Sequence, residues 1–175
     1  MRLCRIRLLT FVYYWRRSVV SAEHFMPIEI IERPAFLVVG LSILTKPMSP
    51  QIPALWLRFV ARSPEIQGQT ELAVSYGIMR QESQDTLLYI AGAAVSPRSV
   101  APVGMEIREV AAGSYARFSY PFGRLGEGFG EIFNRLLPAS EYSQAPGFLL
   151  ERYGKSFDPN NANSIVEILI PVRPR

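Results

Sequence analysis

Leu125-Gly126-Glu127-Gly128-Phe129-Gly130-Glu131-Ile132-Phe133-Asn134-Arg135-Leu136 is the stretch on which the fold turns. Leu125, Phe129, Ile132, Phe133 and Leu136 fall at i, i+4, i+7, i+8 and i+11, a single apolar stripe on an amphipathic helix, and Pro138 ends it. Upstream, Met105, Ile107 and Val110 begin an extended segment that resumes across Gly113 and runs through 115–120. Downstream, 148–153 reads as a short strand and Asp158-Pro159-Asn160-Asn161 as a turn. Val166, Ile168, Ile170 and Val172 then alternate as a last strand. The order is strand, helix, strand, strand.

The first half repeats that order. Ile28, Ile30 and Ile31 open a strand that continues through 35–41, with Pro34 as a kink or bulge. After a loop marked by Pro47, Pro50 and Pro53, Pro53 is placed to begin a helix with Trp56, Phe59 and Val60 at i, i+3 and i+4, stopping near Ser63-Pro64. Leu72, Val74 and Tyr76 alternate as a strand, 81–85 forms a polar hairpin connection, and 86–95 is the partner strand. Two βαββ repeats, about 27–100 and 104–175, predict an α+β fold: one mostly antiparallel sheet with both helices on one face. Neither half can bury its apolar face alone.

The chain has 175 residues, 49% of them hydrophobic and 19% charged, which suits one domain with a sizeable core and excludes disordered and collagen-like classes. The single cysteine, Cys4, excludes an intramolecular disulfide and a paired-thiol motif and points to a reducing, cytoplasmic setting. The net charge of +4 comes from residues 1–25, where Arg2, Arg5, Arg7, Arg16 and Arg17 face only Glu23. The remaining 150 residues hold 14 basic and 14 acidic side chains, so the domain has no bulk electrostatic case for direct nucleic-acid binding.

Residues 1–25 imitate a secretion signal, with arginines before an apolar run from Leu8 to Trp15. That run is only eight residues long and Arg16-Arg17 interrupts it, so the segment reads as an N-terminal extension or an over-long reading frame, with one domain over 26–175. A basic amphipathic surface anchor is the alternative, while stable membrane association is not expected, because a spanning helix takes about 20 apolar residues.

Standard catalytic machinery is missing from the sequence. The only histidine, His24, lies in the extension, which removes Ser-His-Asp and Cys-His arrangements and histidine-ligated zinc from the domain. No P-loop is present, no metal or cofactor is implied, and no residue is assigned a catalytic role. The glycines at 123, 126, 128 and 130 lack the βαβ context of a phosphate cradle and read as close helix packing or a flexible start to the helix.

Glu167 stands out on the otherwise apolar last strand. A carboxylate taken out of water needs a cationic or hydrogen-bonding partner, so Glu167 either pairs with an internal arginine such as Arg117 or Arg152 or binds a ligand. Aromatic side chains are plentiful: Trp56, Phe59, Tyr76, Tyr89, Tyr120, Phe148 and Tyr153 among others. Most such residues are core, yet a carboxylate ringed by aromatic faces suits a flat or lipophilic cation.

The chain resembles the GyrI-like, or AraC-type effector-binding, domain family of multidrug-sensing regulators and stand-alone proteins, including mobile gene-cassette (integron cassette) members. The resemblance rests on the ordered series Ile30-Ile31-Glu32-Arg33-Pro34, Ile52-Pro53-Ala54-Leu55-Trp56, Tyr76-Gly77-Ile78, Gly113-Ser114-Tyr115, Leu137-Pro138-Ala139, Leu150-Glu151-Arg152-Tyr153 and Val166-Glu167-Ile168. It implies a ligand cavity between the repeats, with Glu167 as the buried acid that partners cationic, drug-like effectors. Trp56, Phe59, Tyr76, Tyr89, Tyr120, Phe148 and Tyr153 are then candidate cavity residues, and Glu151, matching the glutamate of the family's Phe-Glu-x-Tyr strand, a possible second carboxylate. Leu150, Leu136 and Tyr120 replace residues common in the family. These departures bear on members resembling hydrolases of strained, cyclopropane-containing compounds and weigh against catalysis. The alternatives are such a hydrolase using Glu167, or a gyrase-inhibitor-like module with a protein partner; a homodimer fits any of the three readings.

Overall fold

The computed structural model describes residues 28–175. The readings of residues 1–25, including Cys4 and His24, lie outside the described residues. The chain runs β1 (Glu29–Arg33), β2 (Phe36–Thr45), α1 (Gln51–Arg62), β3 (Ser75–Ser83), β4 (Thr86–Val95), β5 (Glu106–Val110), β6 (Gly113–Pro121), α2 (Leu125–Glu131), β7 (Tyr142–Gln144), β8 (Leu149–Tyr153) and β9 (Ile165–Pro174). All the strand pairs are antiparallel, and they make one nine-stranded sheet ordered β1-β6-β9-β8-β3-β4-β2-β5, with β7 pairing the far end of β9. The α+β architecture expected from the repeated element order is the one found.

The repeat is visible in the pairing. Strands β2, β3 and β4 with α1 correspond to β6, β8 and β9 with α2, and the halves meet at the β3–β8 seam, where Gly77 lies opposite Glu151. Each half also lends a strand to the other: β1 pairs with β6, and β5 pairs with β2. Pro34 has no N–H to donate, so the ladder breaks between β1 and β2, and the chain changes partners there.

Only two residues separate β1 from β2 and two separate β5 from β6, although each pair lies near opposite ends of the strand order. The sheet must therefore curl until its ends approach. Gly40 and Gly92, paired between β2 and β4, permit this: a Cβ on Gly40 would lie 2.1 Å from the Ala91 carbonyl oxygen. The inside of the curl buries Val38, Tyr76, Ile78, Ile90, Val110, Tyr115, Leu150 and Leu169, with Ile31 and Phe36 closing it.

The helices cover the other face, over a second cluster that includes Leu41, Tyr89, Ile168 and Ile170. Helix α1 turns Leu55 and Phe59 into this core. It begins at Gln51, so Pro53 occupies its third position, where a missing N–H leaves no hydrogen bond unmade. The helix read over 125–136 is α-helical only to Glu131 and continues as a π-helical turn, Ile132–Leu136, closed by Leu137 N–H to the Ile132 carbonyl at 2.9 Å. The glycine-rich start of α2 reflects close packing: a Cβ on Gly128 would lie 2.7 Å from the Tyr120 ring. Strand β3 reaches Ser83, so the connection to β4 is tighter than 81–85, and strand pairing begins at Ser75 rather than Leu72. Among the described residues no helix is long and apolar enough to cross a membrane.

Candidate functional site

Alternation along β8 sorts its side chains between two unlike environments. Leu149, Glu151 and Tyr153 point to the helix face, while Leu150 and Arg152 point the opposite way. On the helix face, α1, α2 and the β3–β8 seam enclose a cavity of about 1620 Å³, bordered by both halves of the chain.

Glu151 is the one acidic residue bordering this cavity among the described residues, and it is 7% exposed. Its Oε2 accepts hydrogen bonds from Tyr89 Oη at 2.6 Å and Tyr153 Oη at 2.9 Å. Trp56 Nε1 of α1 donates in turn to Tyr89 Oη at 2.9 Å. Arg80 and Lys155 also border the cavity, but no cationic side chain among the described residues makes an ion pair with Glu151. Burial raises the Glu151 pKa above the ordinary carboxylate value, and the two tyrosine hydrogen bonds only partly oppose it. The Tyr89 and Tyr153 phenols are pushed well above their usual range, first by burial and then by the neighbouring Glu151 charge.

The space for this cluster comes from Gly77. A Cβ there would lie 2.3 Å from Tyr89 Oη and 2.7 Å from Glu151 Oε2. Aromatic rings extend the wall from the carboxylate. Trp56 meets Tyr153 at 4.7 Å between centroids, Tyr153 meets Phe157 at 4.8 Å, and Phe157 meets Phe122 at 5.2 Å, all edge to face. At the mouth, Met48, Leu57 and Val60 are mostly exposed apolar side chains.

Glu167 lies on the other face of the sheet and takes the internal pairing that the sequence offered as one of its two readings. Glu167 shares the other face with Leu169, where Arg152 Nη1 donates to its Oε2 at 2.8 Å and Arg117 Nη1 lies 3.5 Å from its Oε1. These are the two arginines the sequence offered as internal partners. Arg152 also bonds Glu71 at 2.9 Å, and Tyr76 Oη donates to Glu71 at 2.5 Å while accepting from Arg33 at 3.2 Å. Burial acts most strongly on Glu71 and would raise its pKa, but Tyr76, Arg152 and Arg33 together hold it below the ordinary value. Glu167 thus has its charge compensated inside the protein and does not border the helix-face cavity.

Of the aromatic candidates, Trp56, Tyr89 and Tyr153 gather around Glu151 at the cavity. Tyr76 and Phe148 do not, because they belong to the inside of the curl. Phe59 is sealed in the core beneath α1, and Tyr120 packs on Gly128 and donates to Glu131 at 2.8 Å, its pKa pushed up to about 12 by burial and that bond. Neither borders the cavity. The sequence reading missed Phe122, Phe129, Phe133 and Phe157 as cavity residues. Phe129 and Phe133 carried a signal, since with Ile132 they make the apolar stripe over 125–136 wider than one core contact needs.

The profile of Cass2, the integron-associated effector binding protein, matches residues 29–172. The chain belongs to this family. Among curated proteins the Cass2-family chain is 33% identical over 169 residues to the transcriptional regulator BrlR of Pseudomonas aeruginosa, a match covering 95% of this chain but 60% of that protein. Among solved structures it is similar to the Vibrio cholerae integron cassette protein VCH_CASS2, with TM-score 0.61 and 24% identity over 85% of this chain and 97% of that one. It is similar also to SAV2435, solved bound to tetraphenylphosphonium, with TM-score 0.66 and 15% identity over 85% and 94%. At these identities the structural likenesses establish the fold of the Cass2-family chain.

Proposed function

We propose that this effector-binding domain takes up amphipathic or aromatic cationic small molecules in the helix-face cavity, with Glu151 as the counter-charge. One observation carries the reading: a buried carboxylate, with no cationic partner among the described residues, at an aromatic-walled cavity. Leaving such a charge unpaired costs free energy, and an entering cation offsets that cost. Trp56, Tyr153 and Phe157 bring aromatic rings to the cavity wall, whose faces attract a cation, and the apolar mouth favours a lipophilic body. The tetraphenylphosphonium bound by SAV2435 makes that cation a natural probe.

The test is calorimetric titration with tetraphenylphosphonium and with neutral triphenylphosphine oxide. Binding of the cation alone, weakened about tenfold or more in Glu151→Gln, is expected. Equal binding of the two, or a cation affinity indifferent to Glu151→Gln, would overturn the reading.

A further inference from the structure

The hydrogen-bond inventory of the cavity carboxylate is lopsided. Tyr89 and Tyr153 both donate to Oε2, while Oε1 accepts no hydrogen bond from the described residues. Among the described residues the only side-chain polar atom both sealed and without a partner is Glu106 Oε1. Glu151 Oε1 is not such an atom, and Glu151 borders the cavity.

The donors nearby are already used. The Trp56 N–H goes to Tyr89 Oη, and the Tyr89 and Tyr153 hydroxyls go to Oε2. The donors of this cluster are thus turned toward one another and toward Oε2, and what they leave for a visitor is one acceptor on a charged group; Arg80 and Lys155 border the same cavity without pairing it among the described residues. A quaternary cation would neutralise the charge but leave Oε1 without a hydrogen bond. A cation with an N–H at its charge centre supplies both, through a charge-assisted N–H to oxygen bond of the stronger class. Its greater cost of leaving water is offset at that same oxygen.

We infer that the cavity selects cations bearing an N–H donor at the positive centre, such as protonated tertiary amines and amidinium groups, over fully substituted ones. This inference rests on the cation reading above and narrows the ligand class within it.

The matched probes are imipramine, protonated at its tertiary amine at neutral pH, and its N-methyl quaternary salt, which differ at the charge centre by one N–H replaced by N–CH3. Both are titrated into the full chain and into Glu151→Gln. About tenfold tighter binding of imipramine is expected, with both affinities reduced in Glu151→Gln. Equal affinities, or tighter binding of the quaternary salt, would overturn the N–H selectivity while leaving the cation reading standing. Failure of both probes to bind, or binding of both indifferent to Glu151→Gln, would overturn the cation reading and the selectivity with it. Circular dichroism of Glu151→Gln separates a lost contact from a lost fold.

Discussion

Tyr89 Oη and Glu151 Oε2, 62 residues apart in sequence, meet at 2.6 Å over Gly77 and tie the first repeat to the second on the cavity side of the sheet. Tyr89→Phe removes the donor from Glu151 and the acceptor from Trp56 Nε1 together. Glu151 keeps its Tyr153 bond and the Trp56 N–H is only partly buried, so the variant is expected to unfold about 1 kcal/mol more easily in urea. In a double-mutant cycle with Glu151→Gln the two effects should be non-additive, because both residues belong to one network. Additive losses would show that the bond contributes nothing.

The buried carboxylate also gives stability and binding opposite pH slopes. The Glu151 pKa in the folded chain lies above its unfolded value, since burial outweighs the two phenol bonds. In the window between those values the folded state holds a proton that the unfolded state has lost, so stability falls as pH rises through it. Glu151→Gln should remove that part of the slope. Cation binding needs the ionised form and should strengthen with rising pH over the same window, with proton release that varies calorimetric enthalpy between buffers of different ionisation heat. A pH-independent cation affinity would contradict this.

The sequence made the architecture legible because each repeat announces itself through periodicity: a 3.6-residue stripe in 125–136 and period-two alternation in 166–172. The reciprocal exchange of β1 and β5 was not legible, since it depends on long-range pairing on either side of Pro34 and Gly113. At the site, alternation identified which residues share a face of each strand but not which face meets the helices. Glu151 and Glu167 are both single acids in apolar strands, and Arg152↔Glu167 pairing across β8 and β9 sends them to opposite sides. The Glu-x-Tyr spacing of Glu151 and Tyr153 was the available clue: i and i+2 share a face, so the acid has a phenol beside it.

Three glycines separate the requirement for space from the requirement for backbone freedom. Gly77→Ala would put a methyl 2.3 Å from Tyr89 Oη and is expected to destabilise the fold by about 1–3 kcal/mol and to weaken cation binding. Gly128→Ala would drive a methyl into the Tyr120 ring at 2.7 Å and should destabilise without acting on Glu151. Gly130→Ala, also in α2, meets nothing nearer than Asn134 Nδ2 at 4.0 Å and should stabilise by about 0.5–1 kcal/mol through helix propensity. Thermal unfolding of the three, with tetraphenylphosphonium titration of Gly77→Ala, checks the ordering.

The two carboxylates give the sharpest contrast, because adjacent residues of β8 serve them from opposite faces. Glu167→Gln removes one charge from the Arg117, Arg152 and Glu71 cluster, where Glu167 is 25% exposed and solvent screens what is lost. Its expected cost is about 1 kcal/mol or less, screened further by salt, with cation affinity unchanged. Arg152→Met is the more damaging change in this cluster, since it leaves Glu71 and Glu167 without their shared donor. It too should spare the cavity, whose carboxylate hydrogen-bonds to Tyr89 and Tyr153 rather than to arginine. Titration of Glu151→Gln, Glu167→Gln and Arg152→Met with one cation decides the matter: loss confined to Glu151→Gln is expected, and a comparable loss in Glu167→Gln would move the counter-charge to the other face of the sheet.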